Sequence, residues 1–173
     1  MQIRDAGPAD LPAITAIYAH HVLHGTGTFE EVPPGEEEMA GRMAAVQEKG
    51  WPWLVAEDAA GEVVGYAYVA QFRARSAYRF AGEDSVYVRD DQRGQGVGKA
   101  LVDALLSRAE AAGFRQMFAV IGDSENVGSI GLHVSLGFRQ VGVLKSAGVK
   151  FGRWVDVVFM QRPVGSGDRD LPE

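Results

Sequence analysis

Ser85-Val86-Tyr87-Val88, then Arg93-Gly94-Gln95-Gly96-Val97-Gly98-Lys99, then an apolar-periodic run to about Ala112, is the stretch on which the reading of this chain turns. A β-prone segment enters a loop with glycine at positions 94, 96 and 98 and leaves it as a helix. Without Cβ atoms in the way, successive backbone N–H groups can converge on one point at the positive end of that helix. Such a loop is built to receive a pyrophosphate. A Walker loop would need glycine where Arg93 stands and Ser or Thr where Ala100 stands. A dinucleotide fingerprint counted from Gly94 would need glycine at Lys99. Both spacings fail, which leaves Arg-x-x-Gly-x-Gly, formed by Arg93, Gly96 and Gly98.

Working outward, Ile3 and Arg4 open a short strand, and Leu11, Ile14, Ile17, Tyr18 and Val22 recur at helical spacing from Pro8 to about His24. Pro33-Pro34-Gly35 then turns the chain into a second helix whose first turn carries Glu36, Glu37 and Glu38, where the helix dipole favours acids. Trp53–Glu57 and Glu62–Ala70 read as a hairpin around Asp58-Ala59-Ala60-Gly61. Residues 71–82 have no period, and their arginines mark them as a functional loop. Glu83–Val88 is a strand and Val97, Leu101, Ala104, Leu105 and Ala109 form one helix face ended by Gly113. Gln116–Ile121, Phe138–Leu144 and Trp154–Gln161 are further strands, with a helix from Asn126 to Leu136 stopped by Gly137. Strands of this kind flanked by four helices make an α/β layered domain.

With 173 residues and 46% hydrophobic content, the chain suits one well-buried core. The expected division is a single domain over 1–162 and a flexible, Gly-, Pro- and charge-rich tail over 163–173. A net charge of −6 disfavours nucleic acid as the main partner. The absence of cysteine excludes disulfides, thiolate metal sites and cysteine nucleophiles. Arg4, Asp5 and Asp10 fall where a signal peptide needs apolar residues, so the expected location is cytoplasmic, away from the membrane. His20, His21 and His24 lack the companion ligands of a metal centre, and no metal is expected.

The Arg93–Gly98 spacing resembles the acyl-CoA pyrophosphate loop of the Gcn5-related N-acetyltransferase (GNAT) superfamily. Within it, Trp51–Glu57, Glu83–Val88, Ser129–His133 with Leu136-Gly137-Phe138, and Gly152–Asp156 are similar to the phosphinothricin and methionine sulfoximine N-acetyltransferases. The resemblance spans roughly residues 2–161. It implies a mixed, mostly antiparallel sheet whose central strand pair splays apart, acetyl-CoA as co-substrate, a small amino-acid-like acceptor and a homodimer. Val86, Tyr87 and Val88 would then form the open strand edge, with the Val88 N–H as oxyanion donor. Arg93, Gly94, Gln95, Gly96, Val97, Gly98 and Lys99 would hold the pyrophosphate, and Asn126 and Ser129 would meet the pantetheine arm.

By the same resemblance Glu83 is the carboxylate base, a role that partial burial favours by raising its pKa. Asp84 is an alternative, although neighbours in a strand point to opposite faces. His133 stands where many relatives carry a tyrosine that protonates the departing thiolate. Arg73 and Arg75, in the loop before the reacting strand, suit a substrate carboxylate, with Tyr78 beside them. The phosphinothricin enzymes are similar to this chain at Arg75 and Tyr78, and the methionine sulfoximine enzymes at Arg73 and Arg79. Phe29, Lys150 and Trp154 fall where relatives complete the substrate pocket, partly from a second subunit. Transfer to a protein N-terminus or lysine, and a non-catalytic acyl-CoA sensor, stay open as alternatives.

Overall fold

A computed structural model of the chain describes residues 1–172. Seven strands form one sheet: β1 (Gln2–Asp5), β2 (Trp53–Glu57), β3 (Val63–Gln71), β4 (Ala81–Val88), β5 (Gln116–Gly122), β6 (Arg139–Lys150) and β7 (Arg153–Pro163). Their order is β1-β2-β3-β4-β5-β7-β6. Every neighbouring pair is antiparallel except β4 and β5, which run parallel. Four helices cover the sheet: α1 (Leu11–His24), α2 (Glu36–Gln47), α3 (Val97–Ala111) and α4 (Val127–Ser135).

The parallel pairing is short. It runs only from Ala81↔Gln116 to Asp84↔Ala119, after which β4 stays with β3 and β5 stays with β7. The sheet therefore forks at Asp84, with Ser85–Val88 on one prong and Val120–Gly122 on the other. Each prong is anchored by its own apolar packing, which is what keeps the gap open. On one face α1 and α2 bury Ile14, Ile17, Val22, Met39 and Met43 against Trp53, Val55 and Tyr66. On the other, α3 buries Val97, Leu101 and Leu105 against Leu54, Ala56 and Ala67 of the first half. A second stripe of α3, Val102, Leu106 and Ala109, packs with Met117, Ala119, Ile121 and Met160 of the second half. The sequence reading found only one stripe of this helix. Each large side chain so buried contributes about 1.5–3 kcal/mol, and α3 spends its two stripes bracing both halves of the fork.

Several boundaries differ from the sequence reading: β4 begins at Ala81, inside the stretch read as loop, α1 begins at Leu11, and two strands run further than expected. Strand β6 runs on past Leu144 to Lys150 through a break in register between Leu144 and Gly148. Lys145-Ser146-Ala147-Gly148 reads as a loop. Lys145, Ser146 and Ala147 bulge out of the ladder, and the carboxylate of Asp156, opposite on β7, braces the bulge by accepting from Lys145 Nζ and Ser146 N–H, both at 2.9 Å. At the C-terminal end, Pro163 still belongs to β7 and Val164 is buried in the core, so packing continues beyond 162. Arg115 grips Asp170 at 2.6 Å across the segment that follows. Glu173 lies outside the described residues.

Candidate active site

The fork opens into a cavity of about 730 Å³ lined by the loop before α3, by α4 and by the end of α1 with the residues that follow it. Of the cofactor-binding residues expected from sequence, Val86, Tyr87, Val88, Arg93, Gly94, Gly96, Val97, Gly98, Lys99, Asn126 and Ser129 all line it, and His133 joins them. Gln95 departs from expectation. It lies outside the lining, and its side-chain amide bends back to the Asp91 carbonyl at 3.1 Å.

The loop before α3 has the required backbone. Gly94 and Gly96 sit at φ of 73° and 82°, in the left-handed region, and Gly96 is the N-cap of α3. A side chain there is disfavoured by the backbone alone. No heavy atom lies within 4 Å of where a Cβ would be at either position, so the cradle is open above its amides. Oriented N–H groups at a helix N-terminus, with Arg93 and Lys99 alongside, fit a diphosphate. The open prong fits an amide-bearing arm. Arg89 N–H bonds the Val64 carbonyl on β3 at 2.8 Å. Backbone groups alternate along a strand, so those of Val86 and Val88 face the gap that β5 has left. Asn126 caps α4, its Oδ1 accepting from Ser129 N–H at 3.2 Å, which sets the α4 end of the cavity.

Adjacent carboxylates at the fork point to opposite faces. Asp84 looks toward α4 and Glu83 toward the face with α1. Asp84 and His133 are 6% and 2% exposed, and their Oδ2 and Nε2 are 2.9 Å apart. His133 Nδ1 lies 2.7 Å from the Ser129 carbonyl, which can only accept, so Nδ1 carries a hydrogen. Both ring nitrogens are thus engaged. Burial pulls the His133 pKa down, but the Asp84 bond and charge, with the Ser129 carbonyl, prevail and raise it. Asp84 Oδ1 is buried with no hydrogen-bond partner among the described residues. The sequence reading raised Asp84 only as a substitute for Glu83; its pairing with His133 needs the fold to be known, since the two are 49 positions apart.

Glu83 lies outside that cavity, on the other side of the strand. Burial raises its pKa; Arg73 opposes the rise and Asp84 adds to it. Arg73 Nη1 stands 3.8 Å from Glu83 Oε2, and its guanidinium covers the Phe72 ring at 4.2 Å. Tyr78 packs edge-on against Phe72, which stacks on Phe118 of β5. The structure therefore brings Glu83, Arg73 and Tyr78 to one aromatic floor. Arg75 is exposed, and of its groups the carbonyl is engaged, accepting from Gln71 Nε2 and from the Tyr78 N–H.

Phe29 and Lys150 gather at a second point on this face. Lys150 is buried and its Nζ donates to the Thr28 carbonyl at 2.8 Å. Burial lowers its pKa, against Glu31 and Glu30, which raise it. The Phe29 ring lies over Gly148, where a Cβ would come within 2.6 Å of it. The loop carrying Phe29 is pinned further by Tyr18 to Thr28 at 2.9 Å and Thr26 to Asp123 at 3.0 Å. Asp123, at a left-handed φ of 76°, also accepts from Arg153 and the Glu125 N–H. Neither Thr26 nor Asp123 was singled out from sequence. Trp154 is 65% exposed, on the outer hairpin. Among the described residues no three His, Asp or Glu side chains converge as metal ligands, and no helix is long and apolar enough to cross a membrane.

Comparison with known proteins agrees with this geometry. The acetyltransferase (GNAT) domain family matches residues 3–159. The phosphinothricin N-acetyltransferase of Alcaligenes faecalis is 58% identical over 164 residues, covering 95% of this chain and 83% of that protein. An L-methionine sulfoximine/L-methionine sulfone acetyltransferase of Pseudomonas paraeruginosa is 50% identical, with 92% of each chain covered. A crystal structure of a phosphinothricin acetyltransferase from Sinorhizobium meliloti, in complex with AcCoA, superposes with a TM-score of 0.97 at 50% identity, covering 99% of this chain and 92% of that one. With a glycine cradle ahead of α3, a forked parallel pair and a match along almost its whole length, the chain belongs to the GNAT acetyltransferase family.

Proposed function

We propose that this chain transfers the acetyl group of acetyl-CoA to the α-amine of a small amino acid analogue of the phosphinothricin, methionine sulfoximine or methionine sulfone type. The observation that carries the reading is the fork itself. The nucleotide cradle lies on one side of β4, and a carboxylate with a raised pKa, flanked by a guanidinium, lies on the other.

When bound, acetyl-CoA supplies an activated acetyl thioester and a thiolate leaving group. The rest is work for the chain's own groups. Glu83 accepts a proton from the incoming ammonium, and desolvation makes its carboxylate basic enough for that task. Arg73, with Arg75 and Tyr78, receives the acceptor's acidic groups, and Phe29, Lys150 and Trp154 complete the pocket. The Val88 N–H, facing the gap, donates to the thioester oxygen as charge develops there. On the α4 side, the buried His133–Asp84 pair lines the cavity, and the departing thiolate would take up the second proton that the nitrogen loses as the amide forms, the first having gone to Glu83.

We place the protein in the cytoplasm and read it as a homodimer. Supporting the dimer, the β6–β7 hairpin and its rim expose Leu144, Val149, Phe151 and Trp154, an apolar surface of the kind that marks an interface. The test of function is thiol release from acetyl-CoA with a panel of amines: phosphinothricin, methionine sulfoximine, methionine sulfone, ordinary amino acids and peptides. Turnover confined to small amino acids supports the proposal. Turnover only with peptides would replace it, and CoA binding without turnover on any amine would make the chain a sensor.

A further inference from the structure

His21 of α1 reaches across to the open prong of the fork. Its Nε2 lies 2.9 Å from the Val88 carbonyl, and its Nδ1 lies 3.4 Å from Arg93 Nη2. The tautomer follows from the neighbours. A carbonyl only accepts and a guanidinium only donates, so Nε2 carries the hydrogen and Nδ1 offers its lone pair. The ring is neutral in this arrangement. One imidazole thereby ties together three pieces that no ladder connects: the first helix, the end of β4 where β5 has departed, and the arginine of the pyrophosphate loop.

The remaining groups around the ring are few. Asp90 takes Arg93 from the other side, Nε to Oδ1 at 3.3 Å. His20, next along α1, has its ring 6.0 Å away, and the Tyr87 ring meets His21 edge-on at 5.3 Å. Burial lowers the His21 pKa; the Val88 carbonyl opposes this, Arg93 and His20 reinforce it and Asp90 opposes it. A proton added to Nδ1 would face the N–H of Arg93 and break the tie.

We propose that neutral His21 is a positioning residue for nucleotide binding, holding Arg93 and the open end of β4 in the arrangement that receives the diphosphate of CoA. The inference rests on assigning the cavity to acetyl-CoA, and it adds a pH sign. Affinity is constant at and above neutrality and declines only when His21 protonates, below the ordinary histidine range. Simple electrostatics says the opposite, because an extra cation beside a phosphate site should tighten binding as pH falls.

Calorimetry with CoA and the full chain separates the two. We compare wild type with His21→Phe, which keeps a ring but loses both bonds, and His21→Gln, whose amide can donate to Val88 and accept from Arg93. The expected result is about tenfold weaker binding in the Phe variant, the scale of one or two hydrogen bonds, and recovery of most of it in the Gln variant. From pH 8 to 5 the wild type should lose affinity relative to His21→Phe, which corrects for titration of CoA itself. Nitrogen chemical shifts of the His21 ring should report Nε2–H in the free protein. Equal affinities in all three proteins, or wild-type binding that tightens on acidification relative to the Phe variant, would overturn the inference while leaving the acetyl-CoA assignment intact. No binding by any of them would sink that assignment instead.

Discussion

Glu83 and Asp84 are neighbours on one strand with the same functional group and opposite circumstances. Asp84 is enclosed, bound to His133 at 2.9 Å, and faces the nucleotide cavity. Glu83 keeps a third of its side chain exposed, 32%, and meets only a distant Arg73 at 3.8 Å. The strand's alternation produces this difference, by sending one residue to the α4 face and the next to the α1 face. In the proposed reading the fork turns this difference into chemistry, since one step along β4 separates a carboxylate with no close hydrogen-bond partner from one already bound to His133. Position along a strand, rather than residue type, decides which acid can serve as a base.

The strongest way to break the comparison is to remove the free acid. Glu83→Gln should lower kcat by about 10²–10⁴-fold, the usual worth of a general base, while CoA affinity measured by calorimetry stays unchanged. Wild-type activity should fall on acidification through a midpoint above the ordinary glutamate value of 4.5, since burial raises that pKa; the variant should lack this limb. Stability should move the other way. A carboxyl whose folded pKa is raised stabilises fully only below its unfolded value and loses that contribution as pH rises. Near neutrality, therefore, Glu83→Gln should be at least as resistant to urea as the wild type. A variant that keeps its turnover would transfer the base role elsewhere.

Removing the committed acid should act chiefly on folding. Asp84→Ala leaves the buried Nε2 of His133 without its partner, and such losses cost about 3–5 kcal/mol, readable by urea denaturation. The pH dependence supplies the sign. His133 has its folded pKa raised above the ordinary histidine value of 6.5, so its contribution is complete below about 6.5 and fades as pH climbs through the raised value. Wild type should thus lose stability relative to Asp84→Asn between pH 6.5 and that point. Equal slopes would mean that the pair's proton is not linked to folding.

Much of this contrast was legible in the sequence. The glycine spacing, the helix stripes and the strand alternation are local signals, and they place the cradle, strand β4 and the opposed side chains, whereas the fork was implied by the family resemblance. What was missed depends on residues brought together across long separations. Asp84 with His133, Thr26 with Asp123, and His21 with both Val88 and Arg93 each join different elements, and nothing in the local pattern of either partner names the other. The extension of β6 was missed for a related reason. Lys145-Ser146-Ala147-Gly148 has loop-like composition and does bulge, and pairing resumes beyond it because Asp156 on the neighbouring strand braces the bulge.

A smaller effect should come from the acceptor side of Glu83, at the seat of Phe29. Gly148→Ala would push a methyl to within 2.6 Å of the ring, and the ring, partly exposed, must shift. Overpacking of this kind costs about 1–3 kcal/mol in a closed core, and less where the ring has room to move. The expected readout is a several-fold rise in KM for the amino acid with little change in KM for acetyl-CoA. Parallel rises in both would show that the loop at Phe29 and the nucleotide cavity are not independent.

The finest test concerns Arg73, which has two separable jobs in the proposed site. As a fork for the acceptor's acidic group it should affect KM; as the cation nearest Glu83 it should affect the acid limb. Its side chain is 52% exposed and the ion pair is long, so solvent screens the pair and its energy is small. Arg73 nonetheless opposes the rise in the Glu83 pKa, so Arg73→Ala should move the midpoint of the acid limb to higher pH. It should also raise KM for the amino acid by about tenfold, the loss of one charged hydrogen bond. Arg73→Lys should restore the midpoint, because a charge suffices there, yet recover KM only in part, because a single ammonium cannot match two carboxylate oxygens at once. If the midpoint stays fixed in both variants while KM rises, burial alone sets the basicity of Glu83, and the difference between the two carboxylates reduces to which face of β4 each one occupies.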